Sequence, residues 1–340
     1  MKSMLTLLAG VALLAAPAAQ VQGRTIPFHP IGTWTADYGD DYCRLIRTFS
    51  DGQSELSLAL ERIQPGPMVR VIVIGEGVRP FRGADQIGYT FNPVGGSGGA
   101  GYARSVMADG RPFISFDPIM LTQPAAVTRA SLPSGYDRAD EQEAAKAITE
   151  FTLDTGLVAP VQIDTGSLRA PIEALQVCAD TLLTTWGLDV EKYKGMSLPP
   201  IMNPNPEGVL PQHSALFREL LRFRNFGGGT NQVQLLVAAD GSVADCAIYS
   251  PSVSRSANEL ICRLARERAS FAPAKDADGQ PMASLWAGSL WDLGPPPSRA
   301  PFYSVAVGSP TGPRLGLTPP PSDAPTVTLI VPPNAFPSAM

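Results

Sequence analysis

Between Trp34 and about Phe116 the apolar positions fall into short runs with a strand-like period. Cys43–Phe49, Glu55–Leu60 and Met68–Ile74 are rich in apolar and β-branched residues, and Asp51-Gly52 and Pro65-Gly66-Pro67 punctuate them as turns. An antiparallel meander is the predicted arrangement. The period then changes. Asp140 to Thr149, rich in Ala, Glu and Gln, predicts a helix, and Leu168 to Trp186 predicts a longer one. In the second, Ile172, Leu175, Ala179, Leu182, Leu183 and Trp186 recur at helical spacing as one buried stripe. Ser167 is placed to cap it, Pro171 falls near the first turn, where proline is tolerated, and Gly187 ends it.

The prolines and the Asn-Pro-Asn-Pro stretch between 196 and 211 predict a linker. Beyond it the pattern is most legible. Val233–Ala239 predicts a strand, Asp240-Gly241 a tight hairpin turn, and Ser242–Tyr249 the returning strand. Ser256-Ala-Asn-Glu259 reads as a capping box opening a helix, with Leu260, Ile261, Leu264 and Ala265 inward. Phe271-Ala-Pro-Ala274 closes that helix, and Asp278-Gly279 turns into a last strand, Met282–Leu293. The predicted order is β-β-α-β. From Gly294 the chain is again proline-rich and reads as an extended tail, in which Phe302–Val307 and Thr326–Val331 alternate as strands do. The expected fold class is thus α+β. A mostly antiparallel β domain with a packed helix spans 24–195, the linker 196–211, the small β-β-α-β domain 212–293 and the tail 294–340.

The start of the chain changes the setting. Met1-Lys2-Ser3 carries one positive charge, an apolar run follows from Met4 to Ala16, and small residues lead out through Ala18, Ala19 and Gly23. This is the layout of a secretory signal peptide over residues 1–23, with cleavage after Ala18, Ala19 or Gly23. As a helix the run spans roughly 20 Å, short of the ~30 Å core of a bilayer. A periplasmic location is expected, with retention in the inner membrane as the alternative. Four cysteines, Cys43, Cys178, Cys246 and Cys262, then read as disulfides. Three pairings are open to them. Pairing within each predicted domain gives Cys43–Cys178 and Cys246–Cys262. No CxxC pair occurs and only His29 and His213 could assist, so no metal and no cofactor are expected. A net charge of −5 without Lys/Arg blocks argues against nucleic acid and anionic lipid as partners.

Three motifs imitate catalytic ones. Asp154-Thr-Gly156 and Asp164-Thr-Gly166 match the aspartic-protease triplet, but that chemistry needs two carboxylates from facing lobes, and these stand ten residues apart. Gly96 to Gly101 matches GxGxxG, yet Asn92-Pro93 precedes it and a strand-like Tyr102–Val106 follows, so a hairpin loop is the expectation. Any Ser-His-Asp set must use His29 or His213, and neither accompanies a nucleophile motif. No catalytic residue is assigned, and no enzyme is expected.

Residues from about Pro211 to Leu293 resemble the C-terminal domain of TonB-type energy transducers. The resemblance is carried by Asp240-Gly241, Ser250, Leu260, Phe271-Ala-Pro-Ala274 and Asp278-Gly279, and the Cys246/Cys262 pair is similar to that of exported alphaproteobacterial members. It implies a small sheet on a helix, with an edge strand that captures a short extended segment of an outer-membrane receptor. Carried over, that edge is the final strand, with Ala283, Leu285, Trp286, Ala287 and Trp291 as binding residues and the two tryptophans as anchors or as core. A transducer needs a retained membrane helix and a proline-rich spacer before the domain, whereas here the proline-rich stretch follows it. The expectation is a periplasmic, non-enzymatic binding or scaffold protein for a receptor or other envelope component. The alternative is a membrane-anchored transducer component for outer-membrane transport.

Overall fold

A computed structural model describes residues 25–39, 41–122, 138–210, 214–216, 218, 232–248 and 254–294. The signal-peptide residues, His213, Ser250 and the strand-like pieces of the tail lie outside these residues.

The first eleven strands are β1 (Ile26–Pro30), β2 (Thr35–Tyr38), β3 (Cys43–Ser50), β4 (Glu55–Arg62), β5 (Met68–Ile74), β6 (Gln86–Asn92), β7 (Ser97–Val106), β8 (Pro112–Phe116), β9 (Ile119–Met120), β10 (Glu150–Leu153) and β11 (Val161–Asp164). Nine of them close on themselves in the order β1-β11-β10-β6-β7-β8-β5-β4-β3 and back to β1. The closing contacts are β1 with β11, parallel, and His29 and Pro30 of β1 with Ser50 and Phe49 of β3. β2 and β9 are additional, beside β3 and β5. Alternation sets the two faces. Leu45, Phe49, Leu56, Leu58, Leu60, Val69, Val71, Val73, Phe91 and Phe151 share one buried cluster that fills the lumen. Arg44, Glu61 and Arg70, opposite one another on β3, β4 and β5, take the outer face. A barrel this size holds a side-chain core, and its apolar filling reverses the arrangement of a bilayer-spanning barrel.

Two helices close one end. α1 (Arg138–Ala147) and α2 (Arg169–Thr185) contribute Ala145, Ile172, Leu175, Cys178 and Leu182 to the lumen cluster. The Cys43–Cys178 disulfide ties α2 to β3 at a Cα–Cα distance of 5.9 Å. A short α3 (Val190–Lys194) follows, its first amides capped by the Asp189 carboxylate. No described helix is long and apolar enough to cross a membrane.

The C-terminal strands are β12 (Ile201–Met202), β13 (Gln232–Val237), β14 (Val243–Ile248), β15 (Phe271–Ala272), β16 (Ala274–Lys275), β17 (Pro281–Met282) and β18 (Ser284–Ser289), with α4 (Arg255–Arg268) between β14 and β15. β14-β13-β18 form one antiparallel sheet, β12 pairs with β15, and β16 with β17. Ala257, Ile261 and Ala265 of α4 pack with Val233, Leu235 and Val237 of β13, and Cys246–Cys262 ties β14 to α4.

The expected fold class is corrected by this architecture. The described chain is mostly β, with four helices, and its dominant unit is a closed nine-strand barrel with two extra strands, not an open β domain followed by a small, self-contained β-β-α-β domain. Closure depends on β1, β10 and β11, which lie outside the run read as a meander. The C-terminal sheet is bonded to the barrel. Gln234 is fully buried and donates to the Ile63 carbonyl (2.8 Å), and Arg70 donates to Gln232 Oε1 (2.6 Å). Of residues 196–211, expected as a linker, the described 196–210 belong to the C-terminal core: Ser197 donates to the Lys275 carbonyl, β12 pairs with β15, and Val209 and Leu210 are buried. α4 begins at Arg255, capped by Ser254, whose hydroxyl accepts the Ala257 N–H (3.1 Å); Glu259 pairs with Arg255 instead of completing a box. The last strand is shorter than expected, because Leu290–Leu293 turn into a 3₁₀ helix that places Trp291 off the strand.

Candidate functional site

A three-stranded sheet has two edges, here β14 and β18, and the two are built differently. Cys246 gives its amide N–H to the Asp245 carboxylate (2.8 Å), so that amide faces away from β13. Arg266 of α4 donates to the same carboxylate oxygen (2.8 Å), and the Cys246–Cys262 disulfide anchors the strand to α4. A charged side chain turned onto the edge and an edge donor already satisfied are the usual means of blocking further pairing. The β14 edge is blunted at Cys246.

The same alternation identifies what β18 offers. In an antiparallel ladder opposite residues alternate between bonded and non-bonded pairs. Leu235 faces Cys246 on one side and Trp286 on the other. With Cys246 turned outward, Leu235 bonds to Trp286, so Leu285, Ala287 and Ser289 direct their N–H and C=O groups to the far side of β18. Among the described residues no strand pairs with that side.

Side chains of β18 alternate between two supports. Leu285 is buried and clusters with Leu183, Leu188 and Tyr193, and Ala283 and Trp186 pack against the same group. This seats the strand on the α2–α3 corner of the barrel unit. Burial pushes the Tyr193 phenol far up, so it stays neutral there. Trp286 turns the other way, half-buried, its ring centroid 5.7 Å from that of Phe271. Gly288 makes room for it: a Cβ at that position would stand 2.4 Å from the Trp286 ring. Of the five expected binding residues, Leu285 and Trp286 therefore face the protein's own cores, Ala283 and Ala287 are partly buried strand or strand-flanking positions, and Trp291 follows the strand. What β18 presents outward is backbone.

The catalytic look-alikes fall apart in space. Asp154 and Asp164 flank opposite ends of the β10–β11 hairpin, where Leu153 faces Val161 and Glu150 faces Asp164. Asp164 accepts the Gly166 N–H in a local turn and lies 3.7 Å from His29, both exposed. Of the GxGxxG motif, Gly96 precedes β7, and Ser97 to Gly101 open that strand, paired to β6. Strand structure thus starts at Ser97, within the residues expected to form a loop. Among the described residues there is no group of His, Cys, Asp and Glu that could hold a metal ion.

The residues that distinguish the edges, Asp245 and Arg266, were missed from sequence. The available signal was an aspartate within a strand, where that residue is depleted.

The chain matches no family model, no curated protein and no solved structure. Its described residues define a side-chain-filled barrel fused to a small sheet, one edge of which is blunted and the other of which no described strand pairs with.

Proposed function

We propose that this chain is a non-enzymatic periplasmic binding protein that takes an extended segment of an envelope partner along the open edge of β18. The observation that carries the reading is the asymmetry of the edges: Asp245, Arg266 and a disulfide blunt β14 at Cys246, while Leu285, Ala287 and Ser289 aim backbone groups outward from β18, where no strand among the described residues pairs with them. Strand addition draws its affinity from such main-chain groups and its selectivity from alternate side chains. The resemblance to TonB-type transducers favours an outer-membrane receptor segment as the partner. The disulfides and the signal-like leader favour release into the periplasm, where thiols are oxidised.

The test is Ala287→Pro. Its amide faces outward, so proline removes a ligand-facing donor while the bonds of Trp286 and Gly288 positions to β13 keep their partners; edge strands tolerate proline in that orientation. Cross-linking in envelope extract is expected to capture a partner with the unaltered chain and to lose it with Ala287→Pro. Capture that is indifferent to the substitution refutes the site. Mass measurement of the mature N-terminus is expected to show removal of Met1–Ala18 at least; an intact leader refutes release.

A further inference from the structure

Strand addition takes its selectivity from the side chains that stand beside the incoming strand. One position on β18 is furnished for this. Gly288 is partly exposed and shares a face of the sheet with Trp286, which packs on the α4 side. A Cβ on Gly288 would meet the six-membered ring of Trp286 and would stand 2.9 Å from Asp292 Oδ2. An aromatic ring and a carboxylate thus converge over the one residue of β18 that brings no side chain of its own. The 3₁₀ helix Leu290–Leu293 makes this possible: Leu290 and Leu293 are buried in the C-terminal core, and Asp292 between them is exposed and comes back over Gly288. From Ser284 to Ser289 the strand carries no charge, so the charge that meets a side chain arriving over Gly288 is that of Asp292.

Resting on the reading that the β18 edge is the binding site, we propose that the segment it accepts carries a cationic side chain, arginine before lysine, opposite Gly288. Leu285, Ala287 and Ser289 direct their backbone groups outward, so a strand added antiparallel forms bonded pairs with them and a non-bonded pair at Gly288. Non-bonded pairs have the closer spacing, about 4.5 Å between Cα atoms, and both residues point to one face. The incoming side chain therefore lies over Gly288, between Trp286 and Asp292, in the space that glycine leaves. A carboxylate in that place faces the Asp292 carboxylate and is repelled. A guanidinium lays its stem along the indole and its planar fork on the carboxylate. A carboxylate accepts several donors at once, so partners that Asp292 holds within the chain do not exclude another.

The experiment titrates three acetylated and amidated hexapeptides, Thr-Arg-Val-Thr-Val-Thr and its counterparts with Gln or Glu in place of Arg, into the full mature chain with both disulfides intact, followed by amide NMR. The Leu285 and Ala287 amides are expected to shift with the arginine and glutamine peptides. The arginine peptide is expected to bind about fivefold more tightly than the glutamine peptide, and the glutamate peptide most weakly. Asp292→Asn is expected to bring the arginine and glutamine peptides within about twofold of each other, the usual scale of an exposed charge pair having been removed. The Leu235 and Trp286 amides, which face each other inside the sheet, are expected to keep their positions in that variant and so report that it is folded. Equal affinities for the three peptides in the unaltered chain, or a preference for arginine that survives Asp292→Asn, overturn the cation assignment and leave the β18 edge as a binding site. Leu285 and Ala287 amides that respond to none of the peptides overturn both.

Discussion

Glu141→Gln tests whether the plug of the barrel is held by a charge that has left water. Glu141, in the first turn of α1, faces Arg62, the last residue of β4; their side chains are 3% and 1% exposed. Arg62 Nη1 donates to Glu141 Oε2 (3.1 Å), its Nη2 bonds the other carboxylate oxygen, and Nε reaches the Met68 carbonyl (3.3 Å). Gln176 of α2 donates to Glu141 Oε2 (2.8 Å). One carboxylate thus joins strand, first helix and second helix. Glutamine keeps the volume but removes the charge, and its NH₂ group turns a donor onto a site of donors. A guanidinium left buried without its counter-charge costs about 3–5 kcal/mol. Set against a total stability of about 5–15 kcal/mol, that is a large fraction. The assay is urea unfolding followed by tryptophan fluorescence and far-UV circular dichroism. Arg62→Met alone is expected to cost a similar amount, because the buried Glu141 carboxylate then loses the Arg62 counter-charge and keeps a neutral donor in Gln176. The double variant Arg62→Met/Glu141→Leu is expected to fall within about 1 kcal/mol of the unaltered protein or above it, since apolar pairs often replace buried ion pairs without loss. Gln176 keeps Gln142 as a partner in that variant. Single losses below about 1 kcal/mol, or a double loss equal to the sum of the singles, would refute the reasoning.

The two disulfides differ in the loop they close, 135 against 16 residues of separation. Chain entropy assigns them about 5 and 3 kcal/mol, so removing the Cys43–Cys178 pair by double alanine substitution is expected to lower the urea midpoint more than removing Cys246–Cys262; the reverse order contradicts this. Gln234→Leu strands the Ile63 carbonyl in the barrel–sheet junction and is expected to cost about 1–3 kcal/mol by the same unfolding assay. Gly241 sits at φ +85°, and a Cβ there would stand 2.1 Å from the Phe271 carbonyl oxygen; Gly241→Val is expected to lower the melting temperature, and an unchanged one counts against the turn geometry. The Ser242 hydroxyl and amide, both donating to Asp240, hold its carboxyl below the usual carboxylate range. Because the folded value is the lower one, the turn's stabilisation is present above the unfolded value and lost as pH falls through the folded one. An NMR acid titration is expected to show the Ser242 amide moving with a midpoint below that of free aspartate, and Asp240→Asn to abolish the movement.

Local elements were legible because their signals are local. The period-2 runs of β3, β4 and β5, the stripe of α2 and the hairpin at Asp240-Gly241 each declare themselves within a few residues. Barrel closure was not legible, because it is made by pairings far apart in sequence. β1 must meet β11 across residues 28 and 163, and β11 is only four residues long beside a protease-like triplet. The glycine content of β7 hid a strand, since Gly99 and Gly101 leave space for Gln86 and Asp117 where side chains would otherwise pack. The proline pattern of 196–211 suggests a spacer. Proline fixes backbone direction without deciding whether a segment is solvated, and here Val209 and Leu210 are buried in the C-terminal core. The final strand, expected as an edge, is the last of its sheet among the described residues, while Leu285 and Trp286, expected as binding side chains, pack into the protein's own cores.

That displacement bears on what the barrel is for. The C-terminal sheet is fixed on one face by α4 and on the other by the barrel: Gln234 on the Ile63 carbonyl, Arg70 on Gln232, and Leu285 against Leu183, Leu188 and Tyr193. Arg70 is itself aimed by Glu61, which Arg44 holds from the next strand, so a row of charges on the outer barrel wall sets the position of β13. A strand so constrained loses little freedom when another is added to it, and binding costs fall mainly on the incoming segment. On the proposed reading, the barrel needs no site of its own. Its contribution is rigidity at β18, and selectivity then depends in part on which extended segment surrenders the least entropy on pairing.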